Sequence, residues 1–327
     1  MRRVTRFDSP ALASGLLALG LATTAYAGNV QVTLKHGTLQ VSGDKDAASL
    51  RLFGNLANEL ANVGFVDVHP NAGTVNGSGQ DATFTGVLNI RVSVKNGGNT
   101  LAFDQLQLSG GIQVSTGSGD DEVTVTDTTL SEDLSVNGGN GVLTFTCSES
   151  VMGRDLVVKS GAGDDVVDVD CGAARNGKIS VGNGFNAVSV TLAHPFSFTN
   201  LSIQAGNRAD LVLLSDSGSH TSVTGDLKID LGGDGNEAQA SRFQVAGNFS
   251  YKGGGGVDAI LGDPLAVGGD MRLSLGGGDN SVQLTDSHVI GQLRVSAGAG
   301  DDTVVFMGTT TAGSTKFQLG GGANQRP

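Results

Sequence analysis

From Asn89 onward, apolar residues fall in pairs two positions apart, and the pairs return at a nearly constant spacing. Lines begun at Asn89, Gly111, Asp133, Asp155, Lys178, Asn200, Asp226, Asn248, Asp270, Gln292 and Ser314 follow one another at intervals of 22, 22, 22, 23, 22, 26, 22, 22, 22 and 22. Each full line opens with such a pair, for example Ile112/Val114, Leu156/Val158, Ile179/Val181, Leu227/Ile229 and Leu293/Val295. Alternation with period two marks a half-buried strand. A glycine stands three residues after each pair, as Gly117, Gly139, Gly161, Gly184, Gly206 and on to Gly320, and predicts a tight turn. A second pair follows the turn, as Val123/Val125, Phe145/Cys147, Val167/Val169, Val190/Leu192 and Val304/Phe306. A weaker third stretch, such as Leu106/Leu108, Phe243/Val245 or Leu265/Val267, closes the line.

One such unit cannot bury its apolar residues, whereas stacked units can. The pattern therefore predicts an all-β chain: a parallel β-solenoid, read as a right-handed β-helix of about eleven 22-residue coils. At a strand spacing of about 4.8 Å this is a rod roughly 50 Å long. A β-sandwich has no reason to keep so fixed a period from Asn89 to Ser314.

Residues 28–88 fit the period less well and read as an N-terminal cap with irregular first coils. Within them Gly37–Gly43 reads as a strand and turn, Asn55–Val63 as a short helix, and Asn71–Gly79 as a loop. The solenoid is expected over 89–327, with no evident cap beyond the turn begun at Gly320-Gly321-Gly322-Ala323-Asn324. Before it, Arg2, Arg3 and Arg6 precede an apolar run from Ala11 to Ala22 and the triplet Ala25-Tyr26-Ala27. That is the pattern of a secretory signal peptide over 1–27. The run is too short to anchor in a bilayer, so a secreted or cell-surface protein without a membrane span is expected, with the periplasm as the alternative compartment.

Composition narrows the chemistry. With 32 Asp and Glu against 20 Lys and Arg, the chain carries a net charge of −12, which argues against nucleic acid as a partner. At 38% hydrophobic it is too apolar for a disordered chain. Trp is absent and Tyr occurs twice, leaving no aromatic platform for sugar rings. No nucleophile motif, phosphate loop or metal triad is present, and the five histidines share no column, so neither a catalytic residue nor a zinc site is assigned.

Three turns carry Gly-x-Gly-Asp-Asp: Gly117–Asp121, Gly161–Asp165 and Gly298–Asp302. In these turns and their flanking strands the chain resembles GDD-repeat solenoids of secreted bacterial surface proteins, and more loosely the hemolysin-type (RTX) calcium-binding repeats. The resemblance implies calcium held by turn carboxylates. Asp120, Asp121, Asp164, Asp165, Asp279, Asp301 and Asp302 are then the candidate ligands, with the best site between Asp279/Asn280 and Asp301/Asp302. The RTX motif, however, runs in tandem nonapeptides, and this one appears at most once in each line of the repeat.

The final motif position offers a metal-free alternative. Down the lines it reads Asn99, Asp121, Leu143, Asp165, Val188, Asp210, Asn236, Asp258, Asn280, Asp302 and Asn324. Stacked carboxylates would repel, and alternating Asn relieves this because its amide donates to the neighbouring carboxylate. Calcium site and hydrogen-bonded ladder both remain open at this level.

Cys147 and Cys171 invite a disulfide in an exported chain. They lie two positions apart on adjacent coils, which ideal stacking would separate by about 8 Å, just outside bridging range. The outward position within the first pair reads Arg91, Gln113, Ser135, Val157, Ser180, Ser202, Lys228, Ser250, Arg272, Arg294 and Lys316. Lys228, Arg272, Arg294 and Lys316 would form a basic stripe on an acidic rod, suited to an acidic polysaccharide. The favoured expectation is a non-enzymatic surface or matrix module in adhesion or structure. Its partner would be a cell-surface or matrix polymer, or a second copy meeting the uncapped last coil. A calcium-stabilised module, and a polysaccharide-binding protein or lyase, are the alternatives.

Overall fold

The computed structural model describes residues 28–54, 64–192, 196–217 and 221–327. The signal segment, the helix expected over 55–63, His194 and His220 lie outside the described residues. Among those described there is no helix; strands pair in parallel from coil to coil and make a β-solenoid of about ten turns.

The first apolar pairs build a 16-stranded sheet and the second pairs a 15-stranded sheet. In the first, Ile90/Val92, Ile112/Val114, Leu134/Val136 and Leu156/Val158 stack in register. In the second, Leu101/Phe103, Val123/Val125, Phe145/Cys147 and Val167/Val169 do the same. All of these side chains are buried and form one continuous core along the rod. The third stretch contributes shorter strands, such as Phe243–Val245 on Leu265–Val267. Alternation explains the arrangement: every second residue is driven inward, and a unit's backbone groups find partners only in the coils on either side.

At the N-terminal end the pairing turns antiparallel. Strand Asn29–Lys35 folds back on Thr38–Gly43 through His36 and Gly37, both at positive φ. Strand Val66–Ala72 likewise runs antiparallel to Ser49–Phe53 and to Ala82–Phe84.

One coil departs from the expected register. Leu156 and Val158 stack on Gly177 and Ile179, which stack in turn on Leu201 and Ile203. The coil thus begins at Asn176, not Lys178, and its second inward pair is Val188/Val190, not Val190/Leu192. Its turn glycine is Gly182, whose missing Cβ would lie 1.6 Å from the Gly161 carbonyl oxygen of the coil before. Gly177 fills an inward position with no side chain, and Leu201 and Phe198 crowd the space a Cβ would take. An apolar-pair search passes over it.

Candidate functional site

The turn between the two large sheets concentrates the polar chemistry. Its last position is a column whose corrected fifth member is Asn186, since Val188 lies in the strand beyond it. With that change Asn and Asp alternate from Asn99 to Asn324, broken only at Leu143. Each backbone N–H donates to the side-chain oxygen one coil on: Asn186 to Asp210 at 3.1 Å, Asp210 to Asn236 at 3.1 Å, Asn236 to Asp258 at 3.1 Å and Asp258 to Asn280 at 2.9 Å. The amides of Asn99, Asn186, Asn236 and Asn280 each add a second bond to the same carboxylate oxygen, at 2.6 Å from Asn99 to Asp121 and 2.8 Å from Asn280 to Asp302. At the break, Leu143 still donates its N–H to Asp165, but Asp121 must use the Val142 carbonyl.

The alternation reaches a neighbouring column. Five residues before each Asn stands a bulky apolar residue: Val94, Val181, Leu231, Leu275 and Leu319. Before each Asp the same position is small or hydroxylated: Thr116, Ser160, Ala205, Gly253 and Ala297. In the Asn coils the amide folds back onto carbonyls of its own turn, as Asn186 does onto Gly182 and Gly184. In the Asp coils the second carboxylate oxygen takes up that room. Ser160 donates to Asp165 there, and a Cβ on Gly253 would fall 1.8 Å from Asp258 Oδ2. The structural unit is therefore a pair of coils.

Burial dominates the electrostatics. It pushes the carboxyls of Asp121, Asp165 and Asp258 up, against the pull of their hydrogen bonds, and that of Asp210 up to about 6. Oδ2 of Asp121, Asp210, Asp258 and Asp302 is buried without a hydrogen-bond partner among the described residues. The buried Tyr251 hydroxyl faces Asp258 short of bonding geometry, and burial followed by that charge pushes it well above the usual phenol range.

The candidate calcium ligands do not converge. In Asp120/Asp121, Asp164/Asp165 and Asp301/Asp302 the first carboxylate is exposed and the second buried, so the pair divides across the backbone. Asp164, Asp279 and Asp301 each accept a backbone N–H from the following coil, from Phe185, Asp301 and Ala323. Among the described residues no group of three or more acidic, His or Cys side chains is placed to hold an ion. These residues do not fit the six to eight oxygens calcium requires.

Cys147 and Cys171 are joined, with Cα atoms 5.8 Å apart. Straight stacking would set them farther apart. The strands are irregular beside the bond: the register shifts between Ser148 and Val151, and Glu149 takes a positive φ.

The outward row of the first sheet runs Arg91, Gln113, Ser135, Val157, Lys178, Ser202, Lys228, Ser250, Arg272, Arg294, Lys316. Lys178 replaces Ser180, a consequence of the shifted coil. The four predicted cations Lys228, Arg272, Arg294 and Lys316 share this row and are exposed. Arg272 pairs with Asp270 at 2.8 Å and Arg294 donates to Gln318 at 2.6 Å.

Two further ladders escaped sequence reasoning. On the first sheet, Asn200, Asp226, Asn248 and Asp270 each accept the N–H one coil on. Elsewhere the buried hydroxyls of Thr128, Ser150 and Ser287 accept backbone N–H groups of the preceding coil. The recurrence of Asx at line starts, and of Thr128 and Ser150 one line apart, was the available signal. No family model, curated protein or solved structure matches the chain, so the functional reading rests on its own geometry.

Proposed function

We propose that this chain is a non-enzymatic rod, exported to act as a surface or matrix module in adhesion or structure. The observation that carries the reading is how the polar groups are used. The carboxylates and amides of the turn column, which in an enzyme would converge on a substrate, stand one per coil and are spent on backbone N–H groups of adjacent coils. This stitches a stack whose two long sheets each present one face outward, an arrangement suited to display and not to enclosing a reacting molecule. The amino-terminal signal pattern supports export.

The test is protease accessibility on intact cells of the source organism, with attachment of a deletion strain measured alongside. The reading expects the protein to be digested from outside and the deletion strain to attach less. A protein protected until lysis, or unchanged attachment, would refute it.

A further inference from the structure

The sheet carrying the cation row differs in charge from the rest of the rod. From residue 28 on, the chain has 17 Lys and Arg against 31 Asp and Glu. Yet over the parallel strands of the first sheet, from Thr38–Gly43 onward, the three outward rows hold eight of those cations and only five carboxylates. Six cations lie in the middle row, Arg91, Lys178, Lys228, Arg272, Arg294 and Lys316, and Lys159 and Lys252 in the next. Of the carboxylates, Asp155, Asp230 and Asp270 are engaged by Arg175, Lys252 and Arg272. The parallel strands of the second sheet have the opposite balance, with Arg51 against Asp104, Glu122, Asp168, Asp170 and Glu237 on their outward rows.

The cations also keep the paired-coil period. Arg91, Lys178, Lys228, Arg272 and Lys316 all belong to coils with Asn in the turn, while Asp coils put Gln113, Val157, Ser202 and Ser250 in the same row. Arg294 is the one addition. Successive cations from Lys178 to Lys316 in the Asn coils therefore stand two coils apart, roughly 10 Å at the strand spacing. Lys178, Lys228 and Lys316 make no ion pair with described residues, and the serines between them are free to meet hydroxyl groups.

We propose that this row is a docking surface for an extended anionic polysaccharide with one carboxylate or sulfate per disaccharide, lying along the rod. Such a chain repeats its charge on the same length scale as the coil pair, so each anion meets one cation while neutral sugars lie over Ser202 and Ser250. Nucleic acid is disfavoured: the rows present no aromatic ring for base stacking, and cations roughly 10 Å apart leave most phosphates of a strand, spaced by about 3.4 Å in B-DNA, without a partner. The assignment rests on the rod's proposed role as an exported module and names what that module grips, whereas binding to purified polymer is independent of cellular location.

The probe is immobilised hyaluronan, with the full chain applied at low and at high salt. We expect retention at low salt that is lost at high salt. Lys228→Gln/Arg272→Gln/Lys316→Gln should bind about tenfold more weakly with an unchanged melting midpoint, as three exposed charge contacts are removed. Lys35→Gln/Lys45→Gln/Lys95→Gln, the same charge change off the row, should bind as the parent does. No salt-sensitive retention, equal loss in both triple variants, or equally tight binding of single-stranded DNA would overturn the proposal.

Discussion

Replacing Asp210 with Asn should stabilise the protein, and do so more at neutral pH than in mild acid. The Asp210 side chain is only 5% exposed. Its Oδ1 receives the N–H and the amide of Asn186 at 3.1 and 2.8 Å, and its Oδ2 has no hydrogen-bond partner among the described residues. Burial raises the carboxyl from 3.8 to about 6. The folded state therefore holds this proton more tightly than the unfolded chain. Its stabilising contribution is fully present below about pH 4 and is lost as pH rises through about 6. Two pH units correspond to about 3 kcal/mol at most.

Asn at this position keeps the accepting oxygen and removes the ionisation. Its amide can reach the Gly206 and Arg208 carbonyls as Asn186 reaches those of Gly182 and Gly184. Urea unfolding followed by circular dichroism, at about pH 4.5 and about pH 7.5, measures the difference between variant and parent. Carboxyls with lowered values, such as Asp155, which despite burial Arg175 and Asn176 hold down, act equally in both proteins and cancel. The expected gain at the higher pH exceeds that at the lower by about 2 kcal/mol. A variant destabilised equally at both would show that Asp210 is not a strained buried carboxylate.

The break in the ladder gives a second test. Leu143 is fully buried, and a Cβ on Gly138 would lie 2.8 Å from the Leu143 side chain. Leu143→Asn alone should cost about 2–4 kcal/mol, and Gly138→Val alone should clash. Together they recreate the Val94/Asn99 arrangement and should recover more than about 1 kcal/mol relative to additivity in urea unfolding; strict additivity would refute the coupling. Removing the disulfide with Cys147→Ala/Cys171→Ala opens a loop of 24 residues and should cost about 3 kcal/mol in the same assay, whereas no loss would mean the bond does not restrain the unfolded chain. Because the paired carboxylates part, melting should shift little between excess calcium and EDTA. A rise of several degrees, as from a ligand at 100 times its Kd adding about 2.7 kcal/mol, would contradict that geometry.

By itself the sequence determined that this chain is a parallel solenoid, because alternation and a fixed 22-residue period leave no other way to bury one unit's apolar face. It also showed most of the turn column, most of the cation row and the candidate cysteines. What it could not determine was register in the coil that begins at Asn176. A slip of two residues preserves inside and outside along a strand, so Ile179/Val181 looks as good an inward pair as Gly177/Ile179. Only the packing of Leu201 and Phe198 into the space beside Gly177 decides between them. Asn186 and Lys178 took their places in the two rows through that choice. The tertiary structure likewise decided which Asp of each pair turns inward, and it set the two cysteine Cα atoms 5.8 Å apart, within bridging distance. These are properties of neighbouring coils, set by contacts between residues one full period apart, and no single line of the repeat contains them.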